Sequence, residues 1–298
     1  MQNDSAAVAP AADGNSAVDL ASFQPRSQAR KDPRWVRYLL VGTTYLVIGL
    51  LVAVPLAHVF FQAFSAGVGA YFQKLLGDKD TLHAIFLTLM VSPVAVAMNV
   101  VFGIAAAWAI ARFEFPGRAL LVSLIDLPMS ISPVVAGLVF MLVLGLQSSL
   151  GQWLREHGWQ IIFAPPGLVL ATAFITFPLV ARELVPLLEA EGADEEMAAL
   201  SLGANGWAMF WRVTLPNLRW GLLYGIILCN ARAMGEFGAV HVVSGRISGQ
   251  TDTLPLRVEK LFQEYDIQGA FAAASVLTLV AILTLIGKSI LERKVHQG

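Results

Sequence analysis

Six apolar runs, each of 20 or more positions, alternate with short polar segments along the chain: 38–64, 81–111, 119–147, 157–181, 220–245 and 267–287. A helix of about 20 apolar residues crosses the hydrocarbon core of a bilayer. The pattern therefore predicts an all-α, polytopic integral membrane protein with six transmembrane helices. One stretch, 189–216, breaks the alternation by being polar and then aromatic. Its period places Ala198, Ala199, Leu202, Trp207, Phe210 and Trp211 on one side of a short helical hairpin. Asp194, Glu195 and Glu196 fall in the first turn, where the helix dipole favours acids. Gly203 and the Asn205-Gly206 pair supply the bend, and Pro216 is expected to stop the second helix. Small residues at the tip beside an aromatic wall suit a hairpin that enters a groove on another protein. The same residues also fit an amphipathic piece lying on the membrane surface.

Composition removes the soluble alternative. The 298 residues are 56% hydrophobic and only 14% charged, whereas a soluble domain carries about a quarter charged residues. The formal net charge of −1 says little; the placement of Lys and Arg says more. With both termini inside, the inner segments hold 13 of the 20 basic residues, including Arg112, Arg118, Arg182, Arg212 and Arg219. This puts 189–216 in the cytoplasm. Residues 1–34 have no apolar run and read as a disordered cytoplasmic tail, and 35–298 as the membrane domain. The basic cluster before residue 38 leads into an apolar run too long for a cleaved signal peptide. The single cysteine, Cys229, reads as a packing residue, and the five histidines show no metal-ligand spacing.

Charge within the apolar runs marks the candidate chemistry. Arg232 and Glu236 stand four apart in the fifth run, with Asn230 nearby; on one continuous helix they would share a face and pair. Buried in a bilayer, such charges face a partner or a wet cavity, so they read either as part of a translocation path or as a structural ion pair. Asp126, with Ser130 and Ser132 around Pro128 and Pro133, forms a second cluster whose hydroxyls and freed amides suit an oxyanion. Serines bonding back to their own helix are the plainer reading. Pro55, Pro93, Pro128, Pro133, Pro165, Pro166 and Pro178 are expected to interrupt several spans. No nucleotide motif is present: Gly287-Lys288-Ser289 has Ile282 where a phosphate loop needs its first glycine, and reads as a helix end with a snorkelling lysine.

The hairpin resembles the EAA loop of binding-protein-dependent ABC importer permeases, in which Glu-Ala-Ala is followed at fixed spacing by Gly and by an aliphatic-x-Leu-Pro ending. Ala198, Ala199, Gly203, Val213, Leu215 and Pro216 occupy those positions. Met197 stands where the motif has glutamate, with Glu195 and Glu196 just upstream. The segments 126–138 and 230–245 are similar to the sulfate and molybdate permeases, and the second of these, with 211–225, to the CysW type of sulfate/thiosulfate permease. The resemblance implies a MetI-like type I fold, with a core over about 81–287 and a coupling loop at 189–216. It further implies a bacterial inner-membrane location, a CysT-type permease partner, two CysA-type ATPase subunits docked on the hairpins, and a periplasmic sulfate/thiosulfate-binding protein. ATP would then be bound and hydrolysed on the partner, leaving this chain without cofactor, catalytic site or metal. Lipid would surround it, with no nucleic acid. The Trp207, Phe210 and Trp211 wall would hold the loop to its own bundle. Alternatives are a molybdate/tungstate permease of the same family and an ion-coupled secondary transporter using the Arg232/Glu236 pair.

Overall fold

The computed structural model describes residues 33–295, and every regular element among them is a helix. The expected tail lies outside the described residues except for its last two positions. The chain divides into two units, Met1–Val52 and Ala53–Gly298. The described helix of the first is α1 (Arg34–Ile48), whose Tyr38, Leu39, Tyr45 and Leu46 are all exposed.

The second unit holds α2 (Val54–Ala63), α3 (Val68–Leu76), α4 (Lys79–Arg112), α5 (Arg118–Ser130), α6 (Pro133–Leu144) and α7 (Ser149–Glu156). It continues with α8 (Pro165–Glu191), α9 (Asp194–Ser201), α10 (Gly206–Met209), α11 (Leu215–Met234), α12 (Gly238–Ser244), α13 (Leu254–Gln263) and α14 (Ile267–Val295). Among the described residues, four helical stretches are long and apolar enough to cross a membrane: Trp35–Ala63, Lys79–Arg112, Pro165–Glu191 and Ile267–Ile290. Two bent pairs raise the number to six, Arg118–Ser130 with Pro133–Leu144 at 108° and Gly206–Met234 with Gly238–Ser244 at 54°. The third and fifth expected spans are thus broken rather than straight. The fourth starts at Pro165 instead of residue 157, because Pro165 and Pro166 open the helix where their missing N–H groups cost nothing.

Of the expected proline interruptions, Pro133 marks a true break. Residues before proline avoid the helical region, and Ile131 and Ser132 are extended, at ψ 140° and 132°. Pro93 and Pro178 lie inside continuous helices, and Pro128 lies inside α5. Pro216 does not stop a helix either. A wide π-helical turn, Phe210–Thr214, precedes it and leads straight into α11, which absorbs the missing donor. Lys288 lies within α14, its Nζ 5.1 Å from the Tyr224 ring centroid, and so is not at a helix end.

At the centre, α4 packs along α8, and α11 closes against both. Val180, Leu184, Leu188, Leu218 and Cys229 are almost wholly buried there. A Cβ added to Gly103 would lie 2.7 Å from Val180 Cγ1, so the glycine permits the close crossing. Apolar packing does not fix register in lipid, because the tails are equally apolar. Buried hydrogen bonds supply it: Asn99 Nδ2 donates to Thr176 Oγ1 at 2.7 Å, and Ser92 Oγ to Asn230 Oδ1 at 2.9 Å. The 34 residues of α4 extend about 51 Å at the usual rise. That exceeds a hydrocarbon core of about 30 Å, so α4 extends beyond the core. At its first end Asp78 caps the helix and receives Arg257 Nη2 at 2.6 Å. Burial raises the Asp78 carboxyl, but the Thr81 hydroxyl and the Arg257 guanidinium outweigh it and hold the group below its usual range. At the other end stands Arg112, beside the hairpin.

Candidate functional site

Two places in the bundle hold the residues singled out by sequence. The first is the hairpin. Gly203 has φ +90°, the left-handed region that glycine adopts freely. Its N–H donates to Leu200 O at 3.0 Å and the Ala204 N–H to Ala199 O at 3.0 Å, the paired closure of a helix C-terminus known as a Schellman motif. Asn205 Oδ1 accepts from the Ala208 N–H at 2.7 Å and starts α10. A four-residue joint, 202–205, thereby folds α9 back on α10. Among the described residues nothing lies within 4 Å of a Cβ placed on Gly203 beyond its chain neighbours, so the tip is open.

The outward side of the hairpin is apolar. Met197 is 58% exposed, Leu202 89% and Trp207 72%, with Leu200, Ala198 and Trp211 also exposed and Ala199 half-buried. The rings of the expected aromatic wall stay in contact with one another, Trp211 lying 5.7 Å from both Trp207 and Phe210 between centroids, but they do not all lie on the bundle. Phe210 packs on Trp108 at 5.3 Å between ring centroids, whereas Trp207 and Trp211 face away from the bundle. Of the acidic residues, Asp194 and Glu195 are exposed and Glu196 turns inward. Glu195 Oε2 accepts from Asn217 Nδ2 at 2.5 Å, and Glu196, 7% exposed, is paired with Arg112 Nε at 2.7 Å. Leu215 is half-buried and Pro216 exposed.

The second place is where the two broken spans meet. A Cβ on Gly238 would lie 2.8 Å from Pro133 Cβ, and one on Gly137 2.7 Å from the Ala239 carbonyl oxygen. The elbow between α5 and α6 therefore sits against the break between α11 and α12. Ser130 and Ser132 are exposed on that elbow. Arg232 Nη1 reaches Glu236 Oε2 at 2.7 Å, but not along one continuous helix as expected: α11 ends at Met234, and Glu236 lies in the connection to α12. The pair is lopsided. Glu236 is 1% exposed by side chain and its other oxygen accepts the Ala239 N–H at 3.2 Å, while Arg232 is 45% exposed. No described residue accepts from Arg232 Nε or Nη2. Asn230 belongs to neither group, being held by Ser92. Asp126 separates from the serines too, bonded to Arg182 Nε at 2.7 Å.

Sequence reading missed Arg112, Thr214 and Arg182, which it had counted only as inner charges or passed over. The usable signal for Arg112 was a lone cation ending an apolar run, with an acid at Glu196 to satisfy.

Residues 99–297 match the family model described as "Binding-protein-dependent transport system inner membrane component". The chain belongs to this family. Among its relatives, the sulfate transport system permease protein CysW of Escherichia coli (strain K12) is 54% identical over 258 residues, covering 87% of this chain and 88% of the relative. CysW of Synechocystis is 51% identical over 87% of this chain and 94% of its own length. The CysT permease of E. coli is 34% identical over 86% and 92%. A solved bacterial alginate ABC transporter, in complex with a pentasaccharide-bound periplasmic protein, contains a chain that superposes with a TM-score of 0.73. At 17% identity over 88% of this chain and 95% of that one, it shares the fold of this family member. Membrane spans, MetI-like fold and membership of the transport family are thereby established together.

Proposed function

We propose that this chain is a permease subunit of an ATP-driven sulfate importer, with thiosulfate as a second cargo. The observation that carries the coupling half is the hairpin: an apolar, outward face on a glycine-closed tip, with Glu196 turned inward. The 54% identity to a sulfate permease over most of both chains supports the cargo. In this reading both termini and the hairpin are cytoplasmic. Two ATPase subunits seat on the hairpins of this chain and of a CysT-type partner, and a periplasmic binding protein delivers the anion. ATP is bound and hydrolysed on the ATPase, and this chain catalyses nothing itself.

The meeting point of the broken spans is the anion contact. Arg232 keeps Nε and Nη2 free of any described acceptor while Glu236 is satisfied partly by the start of α12, and Ser130 and Ser132, exposed on the elbow that packs against α12, add neutral donors. Charge-assisted donors of this kind suit a divalent oxyanion in passage. Labelled sulfate uptake by cells lacking their own sulfate permeases tests both parts. Co-expression of this chain with its partners restores uptake. Arg232→Ala/Glu236→Gln, which leaves no unpaired buried charge, inserts normally but carries at least tenfold less sulfate. Full uptake by that double variant removes Arg232 from the path.

A further inference from the structure

Glu196 is the one buried residue of α9. Every other side chain of that helix is partly or fully exposed, so apolar packing does not hold α9 to the bundle. The covalent link does not stiffen it either. It passes through Gly192, at φ +70° and ψ −170°, where an added Cβ would meet nothing within 4 Å.

What holds α9 is a buried fork, with one exposed hydrogen bond beside it, from Asn217 Nδ2 to Glu195 Oε2. Arg112 Nε donates to Glu196 Oε2 at 2.7 Å, Nη1 to Leu188 O at 2.7 Å and Nη2 to Gly192 O at 2.6 Å. Leu188 belongs to the last turn of α8, whose carbonyls have no partner within the helix. The other oxygen of Glu196 accepts the buried Thr214 hydroxyl at 2.7 Å. One planar guanidinium at the end of α4 thus joins the end of α8, the hinge and α9, and Thr214 extends the connection to the turn that leads into α11. Lysine cannot reproduce three donors in fixed directions.

We infer that Arg112 is the positioning residue that couples the hairpin to the spans: it converts a helix hung on a glycine into one that moves α4, α8 and α11 together. The inference rests on the importer reading above. It also gives a role to the acid beside Met197. Glu196 faces its own chain's Arg112, so its contribution to coupling is internal rather than a contact offered to the ATPase.

The test uses the full complex in proteoliposomes and counts sulfate moved per ATP hydrolysed. Arg112→Gln alone strands Glu196; Arg112→Gln/Glu196→Gln leaves no buried charge unpaired. The double variant is expected to assemble and hydrolyse ATP, yet move at least tenfold less sulfate per ATP, with Arg112→Lys falling between it and the native chain. Native coupling in the double variant overturns the inference, because rescue by charge removal would make the pair a stability feature only. Amide hydrogen exchange over residues 194–201, measured on the full chain in nanodiscs, tests the fork without transport or assembly. At least tenfold faster exchange in the double variant supports the fork, and unchanged exchange contradicts it. If the native complex hydrolyses ATP without moving sulfate, the importer reading fails, and the exchange arm still decides the fork.

Discussion

Gly203 and Asp252 show how differently single residues are constrained at the two ends of the bundle. At Gly203 space is plentiful and the backbone is not, since only φ +90° excludes other residues. Alanine there should cost about 1–2 kcal/mol, the usual penalty for left-handed backbone. Amide exchange around residues 201–204 should quicken about tenfold while membrane insertion is unchanged. A tryptophan should abolish uptake by filling the open tip, and normal uptake would deny the tip a docking role. Asp252, at the opposite end, is 1% exposed, and neither carboxyl oxygen has a partner among the described residues. Burial pushes its carboxyl up, opposed by Lys260, Arg257 and Arg246 and assisted by Asp80. Because the folded state favours the protonated form, Asp252 lowers stability as pH rises from the unfolded value toward the folded one. Asp252→Asn should therefore gain thermal stability over the native chain on going from pH 4 to pH 7. A constant difference across that range would mean that the acid is not strained by burial.

Among the elements, hydropathy made the number and class of helices legible, because long apolar runs leave few alternatives to membrane helices. Their breaks were less legible. Ile161, Ile162 and Phe163 extend the fourth apolar run backward, yet the helix waits for Pro165; hydropathy overruled a helix-start signal that was plainly there. The elbow at Ser132-Pro133 was readable as a proline, but six other prolines carried the same mark, and nothing local separates the one that opens a 108° bend from those inside continuous helices. The bend of the hairpin was legible because its constraint is local, a glycine closure and an asparagine cap, whereas the wide turn that carries the helix through Pro216 was not. The partners of Glu196 and Asp126 were not readable, since Arg112 and Arg182 approach them from distant helices. The seam between the two broken spans has its own test. Gly137→Leu would drive a side chain into the Ala239 carbonyl, whose oxygen lies 2.7 Å from a Cβ there. Overpacking of this kind costs about 1–3 kcal/mol, so the thermal midpoint should fall and uptake should be lost. A stable, transporting Gly137→Leu chain would show that the seam opens freely.

In the whole molecule, a hairpin at one end of α4 is joined to a pair of broken spans within the bundle, with α4, α8 and α11 as the packed column that connects them. The family match and the sulfate permease relatives agree on an importer permease, driven by ATP on a partner subunit. The decisive measurement is labelled sulfate uptake into proteoliposomes holding this chain, omitting in turn ATP, the ATPase, the partner permease and the binding protein. An ATP-driven importer takes up sulfate only when all are present, and shows no change when a proton or sodium gradient is imposed or collapsed. Accumulation by this chain alone under an ion gradient would contradict that mechanism, and would make Arg232 and Glu236 a coupling site in place of an anion contact.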